Sequence, residues 1–294
     1  MELPSFVSIP LTSIHVLRFH TPFYIPTITS GRNSKSVLSC RCIRDESTSS
    51  NVLLNGNAAQ NKHTSFSVFS RDVPSESSNT WILMAIYMLN LHIPLGVGGL
   101  SIASYFLHKP SLDPETQALS LLVFQIIELS GSLLLNSNSK LADKQDVSEA
   151  RNWILASAVG FFAVIISVFF ISVVDEALGF NKESNNLVKE MLSSSAIGRS
   201  ACVTVYCFVT PLLEELMYRR FLLKSLSSSM SWQKAVLISS LAFSAAHFSL
   251  ENFAYLFAIG CVLGCCYCWT GRLVASFSIH SLYNALILII SYLS

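Results

Sequence analysis

The stretch Thr210-Pro-Leu-Leu-Glu-Glu-Leu-Met-Tyr-Arg-Arg-Phe-Leu-Leu223 places two adjacent carboxylates, Glu214 and Glu215, inside an apolar run. In a membrane-spanning helix an ionised carboxylate costs at least ~2.5 kcal/mol, so such residues are usually paired or functional. Arg219 lies four residues after Glu215, on the same helical face, which predicts an ion pair between them. Glu214 points about 100° away. The sequence therefore predicts one neutralised carboxylate and one that remains available for chemistry.

The composition is that of a polytopic membrane protein. Of 294 residues, 51% are hydrophobic and only 13% are charged, whereas soluble domains carry about 25% charged residues. The formal net charge of +1 gives no basic surface for nucleic acid, so we expect no nucleic-acid partner. Helices are the expected spanning elements, because backbone groups within a bilayer must be satisfied inside the segment. The predicted fold class is all-α, an integral membrane helix bundle.

About seven apolar segments follow a polar N-terminal region. The first contains Pro94 and several glycines, so we expect it to be kinked or broken, with His92 packing at the kink. Glu128, in the second, is expected to pair locally or to lie near the membrane interface. The predicted segments are 81–107, 118–135, 153–174, 201–226, 232–248, 253–269 and 273–293.

The first 50 residues have the composition of an organellar transit peptide. They are rich in Ser and Thr, and from residue 3 to residue 44 they contain basic but no acidic residues. This favours a chloroplast membrane, envelope or thylakoid. The alternative is a disordered cytosolic tail, in which case the endoplasmic reticulum is the expected location. The predicted organisation is a transit peptide (1–50), a polar linker (51–80), N-terminal transmembrane segments (81–198) and a catalytic core (199–294).

Polar side chains recur in the last apolar segments at helical spacing. His247 ends Phe243-Ser-Ala-Ala-His247, and His280 and Asn284 are four residues apart, so both face the same way. Counted along antiparallel helices, Glu214 and His247 fall at similar depths, whereas His280 is predicted to lie nearer its membrane face. A carboxylate and an imidazole can deprotonate a water, and a second imidazole and an amide can donate to the resulting oxyanion. The pattern favours peptide hydrolysis at the membrane.

A proline precedes the acidic pair. Pro211 lies three residues before Glu214. Because proline has no N–H, it is predicted to free a backbone carbonyl and to kink the helix, which opens space beside the carboxylate.

These motifs resemble those of the CAAX protease and bacteriocin-processing enzymes, the CPBP or Abi family, which are relatives of the Ras-converting endopeptidase. The resemblance spans about 200–293. It implies an α-helical intramembrane endopeptidase, of EC class 3.4, with a four-helix catalytic core. Arg220 departs from the family pattern, since many members have Gly there. By resemblance, Glu214 and His247 would activate water, His280 and Asn284 would form the oxyanion site, and Glu215 and Arg219 would support them.

Several alternatives stay open at this point. No cofactor is expected, but two His and one Glu also suit zinc. The expected partners are a membrane protein or peptide substrate and the lipid bilayer. The same fold can instead serve as a non-proteolytic scaffold that stabilises partner membrane proteins. A transporter that uses the buried carboxylates as a proton relay is a third possibility.

Overall fold

The computed structural model describes residues 66–69, 77–138, 151–178 and 186–293. The predicted transit peptide, and the predicted linker apart from 66–69 and the first residues of α1, lie outside the described residues. Within them all regular secondary structure is helical, and no strand is present. The helices are α1 (Ser77–Tyr87), α2 (Gly99–Phe106), α3 (Pro114–Asn138), α4 (Trp153–Ala177), α5 (Asn186–Ser193), α6 (Ala196–Thr204), α7 (Thr210–Glu215), α8 (Lys224–Ser229), α9 (Trp232–Ala246), α10 (Phe253–Thr270) and α11 (Leu273–Leu293), with π-helical segments Met88–Val97, Val205–Val209 and Leu216–Leu223.

Six helical stretches of the described residues are long and apolar enough to cross a membrane. They confirm the predicted polytopic all-α bundle. The regular α-helix of the first segment is interrupted at the predicted place, since Met88–Val97 is π-helical and contains Pro94. The six stretches are Thr80–Val97, Pro114–Leu135, Trp153–Ala177, Ala196–Ser229, Phe253–Thr270 and Leu273–Leu293.

The remaining predicted segment is the short helix α9. Its 15 residues extend about 22 Å at ~1.5 Å per residue, less than the ~30 Å hydrocarbon core of a bilayer. The helix ends at Ala246 because Phe248 has a φ of 51°, a left-handed conformation that continues no α-helix. His247 therefore caps the helix inside the bundle, at its C-terminal end.

Helix α11 is held closely against α4 and α10. Gly160 of α4 permits this approach, because a Cβ there would lie 2.5 Å from Ile279 Cδ1 and 2.7 Å from Cys266 Sγ. Small residues at helix crossings are the usual means of close packing in membranes. Since Ile279 directly precedes His280, this contact fixes the position of α11 at the level of the polar residues.

The described residues before α1 lie against α9 and α10. The Phe66 ring stacks on Trp232 with centroids 4.5 Å apart, and the Val68 amide donates to the Cys268 carbonyl at 3.0 Å. Arg151 donates to the Trp269 carbonyl at 2.9 Å and lies over its ring. These contacts show that the start of α9 and the end of α10 lie on the same side of the bundle.

Candidate active site

The acidic pair lies on α7, between two π-helical segments of one continuous helical stretch. Pro211 accounts for the change from π-helical to α-helical hydrogen bonding before α7. It has no N–H, so it can bond neither the Cys207 carbonyl in α-helical register nor the Tyr206 carbonyl in π-helical register. The Thr210 amide donates to Val205, in π-helical register. The Tyr206 carbonyl is therefore left without a helical donor, and the Cys207 carbonyl loses its α-helical donor.

Helix α11 supplies those donors. The Ser281 hydroxyl donates to the Cys207 carbonyl, and Asn284 Nδ2 donates to the Tyr206 carbonyl at 2.8 Å. Buried carbonyls left without a donor are unfavourable in a protein interior, so these two bonds fix the register of α11 along α7. The carbonyl that the sequence predicted Pro211 to free thus becomes the point where α11 docks.

Glu215 and Arg219 form the predicted ion pair. Arg219 Nη1 lies 3.2 Å from Glu215 Oε1, and both side chains are essentially inaccessible to solvent. Arg219 Nη2 also donates to the Gly260 carbonyl at 3.5 Å, and the guanidinium lies 4.5 Å from the centroid of the Phe243 ring. The pair links α7 to α9 and α10.

His280 lies between the two carboxylates. Its Nδ1 is 3.1 Å from Glu215 Oε1, and its Nε2 is 3.6 Å from Glu214 Oε2. Because Glu215 is an anion held by Arg219, the Nδ1–H of His280 donates to it. This bond fixes the plane of the ring and directs Nε2 towards Glu214.

His247 faces the other oxygen of Glu214. Its Nδ1 lies 2.7 Å from the Phe243 carbonyl, so Nδ1 carries a hydrogen and donates it. In the neutral imidazole, Nε2 then carries the lone pair. Nε2 is 3.9 Å from Glu214 Oε1. A water oxygen about 2.8 Å from both atoms can donate one hydrogen to each, since 2.7–2.8 Å is the usual length of such bonds.

Residues 197–286 match a family model described as Rce1-like, type II CAAX prenyl endopeptidase Rce1-like. This segment is an Rce1-like domain. It contains all six site residues predicted from the sequence, and the match confirms the predicted resemblance. The family supports a protease that acts at a membrane. Among curated proteins and among solved structures, nothing matches the chain.

The Rce1-like domain gathers five of the six predicted residues into one buried cluster. They are Glu214, Glu215, Arg219, His247 and His280. Asn284 is buried one turn after His280, and its amide donates to the Tyr206 carbonyl rather than to a member of the cluster. A carboxamide nitrogen carries two hydrogens, so one remains for a substrate oxygen. The oxyanion role of Asn284 stays a prediction.

Zinc coordination was the alternative predicted for this site. In the described ranges, no three His, Cys, Asp or Glu side chains are grouped so that they could hold a metal ion. His247 and His280 each use Nδ1 to donate, one to a carbonyl and one to Glu215. Metal-ligating histidines commonly donate their other ring N–H in the same way, so these two bonds do not distinguish zinc from a metal-free site, and zinc stays the alternative.

Residues that the sequence analysis did not assign to the site lie beside it. Ser281 lies between His280 and Asn284 in the sequence, so its proximity to the site could have been inferred from its position. His92 was interpreted as a packing residue, and this is wrong, because its Nδ1 lies 2.9 Å from Glu128 Oε1. Glu128 accepts a hydrogen bond from Gln125, one turn away, but its ion-pair partner is His92, 36 residues distant, and the residue is fully buried. The sequence feature that could have indicated this ion pair is the presence of one ionisable residue in each of the first two apolar segments.

The docking bonds of α11 lead to a stability prediction. Ser281→Ala and Asn284→Ala should each lower the free energy of unfolding by about 1–3 kcal/mol, because each leaves a buried carbonyl without its donor. The measurement is denaturant unfolding in detergent, followed by tryptophan fluorescence. Ser167→Ala is the matched control, since the Ser167 hydroxyl bonds only a carbonyl of its own helix. Equal stability of Ser281→Ala and Ser167→Ala would contradict the docking role.

Proposed function

We propose that the protein is an intramembrane endopeptidase in which Glu214 and His247 together activate the attacking water. The observation that carries the proposal is the placement of Glu214 Oε1 and His247 Nε2, 3.9 Å apart within a buried cluster. Both atoms are acceptors, and their separation suits one water bound by both. The Rce1-like domain supports peptide hydrolysis as the reaction.

The reaction begins with attack of the water oxygen on the peptide carbonyl carbon. One proton of the water passes to the Glu214–His247 pair as the new C–O bond forms. The carbonyl oxygen becomes an oxyanion in the tetrahedral intermediate. When this intermediate collapses, the C–N bond breaks and the proton held by the pair passes to the leaving amine. The water is thus divided between the new carboxyl group and the new amino terminus.

The oxyanion is assigned to His280 and Asn284. Both ring nitrogens of His280 face carboxylate oxygens, an arrangement that favours the doubly protonated imidazolium. Its Nε2–H, which faces Glu214, and the second amide hydrogen of Asn284, one turn further along α11, are the donors assigned to the oxyanion. Donors held in place before the reaction stabilise the developing charge without reorganisation. Glu215 and Arg219 contribute by holding His280.

The substrate is assigned to the class of membrane-embedded proteins or peptides. The site is buried among helices that span the bilayer, so the scissile bond must enter from within or beside the membrane.

We place the protein in a chloroplast membrane, envelope or thylakoid, from the composition of residues 1–50. The endoplasmic reticulum is the alternative. Import of the full chain into isolated chloroplasts, with loss of an N-terminal segment, would support the first location.

The test is a comparison of new amino termini in native membranes. Membrane proteins from plants that express wild type or His247→Ala in a null background would be compared by N-terminal proteomics. Amino termini made only by wild type support the proposal and identify a substrate. If none appear and His247→Ala restores the null line fully, the chain acts as a scaffold and the proposal is wrong. Elemental analysis of the purified wild type tests the metal-free mechanism, which bound zinc at one equivalent would contradict.

A further inference from the structure

A second buried cluster of polar residues lies next to the catalytic pair. Glu128 of α3 accepts a hydrogen bond from the Tyr87 hydroxyl at 2.8 Å and pairs with His92 Nδ1 at 2.9 Å. Glu128 is fully buried. An ionised carboxylate at this depth is costly without partners, yet the proposed reaction uses none of these three side chains. The cluster therefore requires an explanation of its own.

The geometry of His92 indicates its charge. Nδ1 faces the Glu128 carboxylate, and Nε2 lies 3.3 Å from the Ala246 carbonyl. Both partners are acceptors, and only a doubly protonated imidazole donates from both nitrogens. This arrangement favours an imidazolium paired with a buried carboxylate.

The same hydrogen bond reaches the helix end that carries His247. Ala246 is the last residue of α9 and directly precedes His247. The final four carbonyls of an α-helix have no donor within the helix. His92 supplies a charged donor to one of them, so the orientation of the last turn of α9 depends on His92.

The cluster also reaches α7 through α3. Gln125 Nε2 donates to Glu128 Oε2 at 3.1 Å, and the Thr210 hydroxyl donates to Gln125 Oε1 at 3.2 Å. Thr210 is the first residue of α7, four residues before Glu214. One line of hydrogen bonds therefore joins the start of α7 to the end of α9, the helices that carry Glu214 and His247.

The backbone is shaped to admit this cluster. Gly96 lies in the π-helical segment that carries His92, and a Cβ there would approach Glu128 Oε2 to 3.2 Å and His92 Nδ1 to 3.4 Å. π-Helical turns within α-helices occur frequently at functional sites. The ion pair therefore occupies a space that a larger residue at position 96 would reduce.

We propose that His92, paired with Glu128, is a positioning residue that holds His247 against Glu214. This role rests on the endopeptidase function proposed above. His92 acts through the Ala246 carbonyl, without contact to the substrate. Tyr87 and Gln125 orient the Glu128 carboxylate. The N-terminal transmembrane helices thus complete a site whose catalytic residues all come from the Rce1-like domain.

Two substitutions separate charge from shape. Glu128→Gln keeps the size of the side chain and removes its charge, and His92→Gln keeps one donor and removes the cation. In each variant we expect kcat to fall about 10- to 100-fold, because small misplacements of reacting groups have effects of this size. KM should change little. Ser132→Ala is the matched control, since Ser132 is equally buried, one turn further along α3, and bonds only the Leu129 carbonyl of its own helix.

The assay uses purified full-length protein in detergent and a quenched fluorescent peptide that spans the cleavage site found by proteomics. Unfolding midpoints identify variants that fail to fold. If folded His92→Gln and Glu128→Gln retain wild-type kcat, the positioning role is wrong while the endopeptidase stands. A rise in KM with unchanged kcat would also overturn it, because that result indicates substrate binding rather than positioning.

A second measurement needs no substrate. The ¹⁵N NMR spectrum of histidine-labelled protein reports which ring nitrogens carry hydrogen. The chain has seven histidines, and His92→Gln and His247→Ala assign the two signals that matter. We expect both nitrogens of His92 to be protonated at neutral pH and the His247 signal to shift in Glu128→Gln. A neutral His92, or an unmoved His247 signal, would overturn the inference even if wild type cleaved nothing and the endopeptidase itself were wrong.

Discussion

Glu214→Gln is expected to lower kcat by about 10²–10⁴-fold, the usual contribution of a general base. The amide has the same shape as the carboxylate and still bonds a water, but it cannot accept the proton of that water. KM should stay near the wild-type value, because the lost interaction acts on the water and not on the substrate. Single-turnover cleavage of the quenched peptide by purified protein measures the effect directly.

The control for this substitution is Glu251→Gln. Glu251 is an exposed glutamate in the turn between α9 and α10, so the same chemical change there should leave kcat unaltered. If Glu214→Gln cleaved at the wild-type rate, the water would be activated by another group and the roles assigned to Glu214 and His247 would be wrong. Cleavage lost equally in both variants would indicate damage to the fold rather than to the chemistry.

The helical membrane fold could be predicted because its signal is local. Apolar runs of the right length need only be found along the chain, and six of the predicted segments are spans in the structure. The length of α9 could not be predicted in this way. It is decided at Phe248, whose left-handed backbone conformation ends the helix. An apolar phenylalanine gives no sequence signal for such a conformation, which is usually associated with Gly or Asn.

The relative depth of the site residues could be predicted only in part. Counting residues from helix ends correctly placed Glu214 and His247 at one level but left His280 nearer the membrane face. In the structure both histidines lie within 3.9 Å of Glu214. His247 comes 15 residues after the start of α9 and His280 comes 7 residues after the start of α11. The two helices must therefore differ in inclination or in starting depth, which depends on packing and not on spacing.

Pairing between distant segments could not be predicted. The ion pair of Glu215 and Arg219 is encoded by a spacing of four residues, and the structure contains it. His92 and Glu128 are 36 residues apart, on segments whose rotation about their own axes no sequence pattern fixes. Their hydrophobic surroundings show that each needs a partner. Only the packing of the π-helical segment against α3 identifies that partner.

The ion pair of Arg219 carries the largest stability prediction. Arg219→Met should lower the free energy of unfolding by about 3–5 kcal/mol, because it removes the guanidinium that pairs with the buried Glu215 carboxylate and leaves His280 as the remaining partner. Denaturant unfolding of the purified protein in detergent measures this change. Arg220→Met is the matched control: the neighbouring arginine is exposed, and a surface arginine contributes about 0–1 kcal/mol.

A double variant distinguishes the lost charge balance from the lost packing of a long side chain. Glu215→Gln with Arg219→Met removes both charges, so no buried ion remains without a partner, and the double variant should be more stable than Arg219→Met alone. If it is instead less stable by the sum of the two single effects, Glu215 and Arg219 act independently. Recovery of stability need not restore cleavage. Without the anionic Glu215, His280 loses the acceptor that orients its ring and favours its positive charge. We therefore expect the double variant to fold but to cleave peptide slowly.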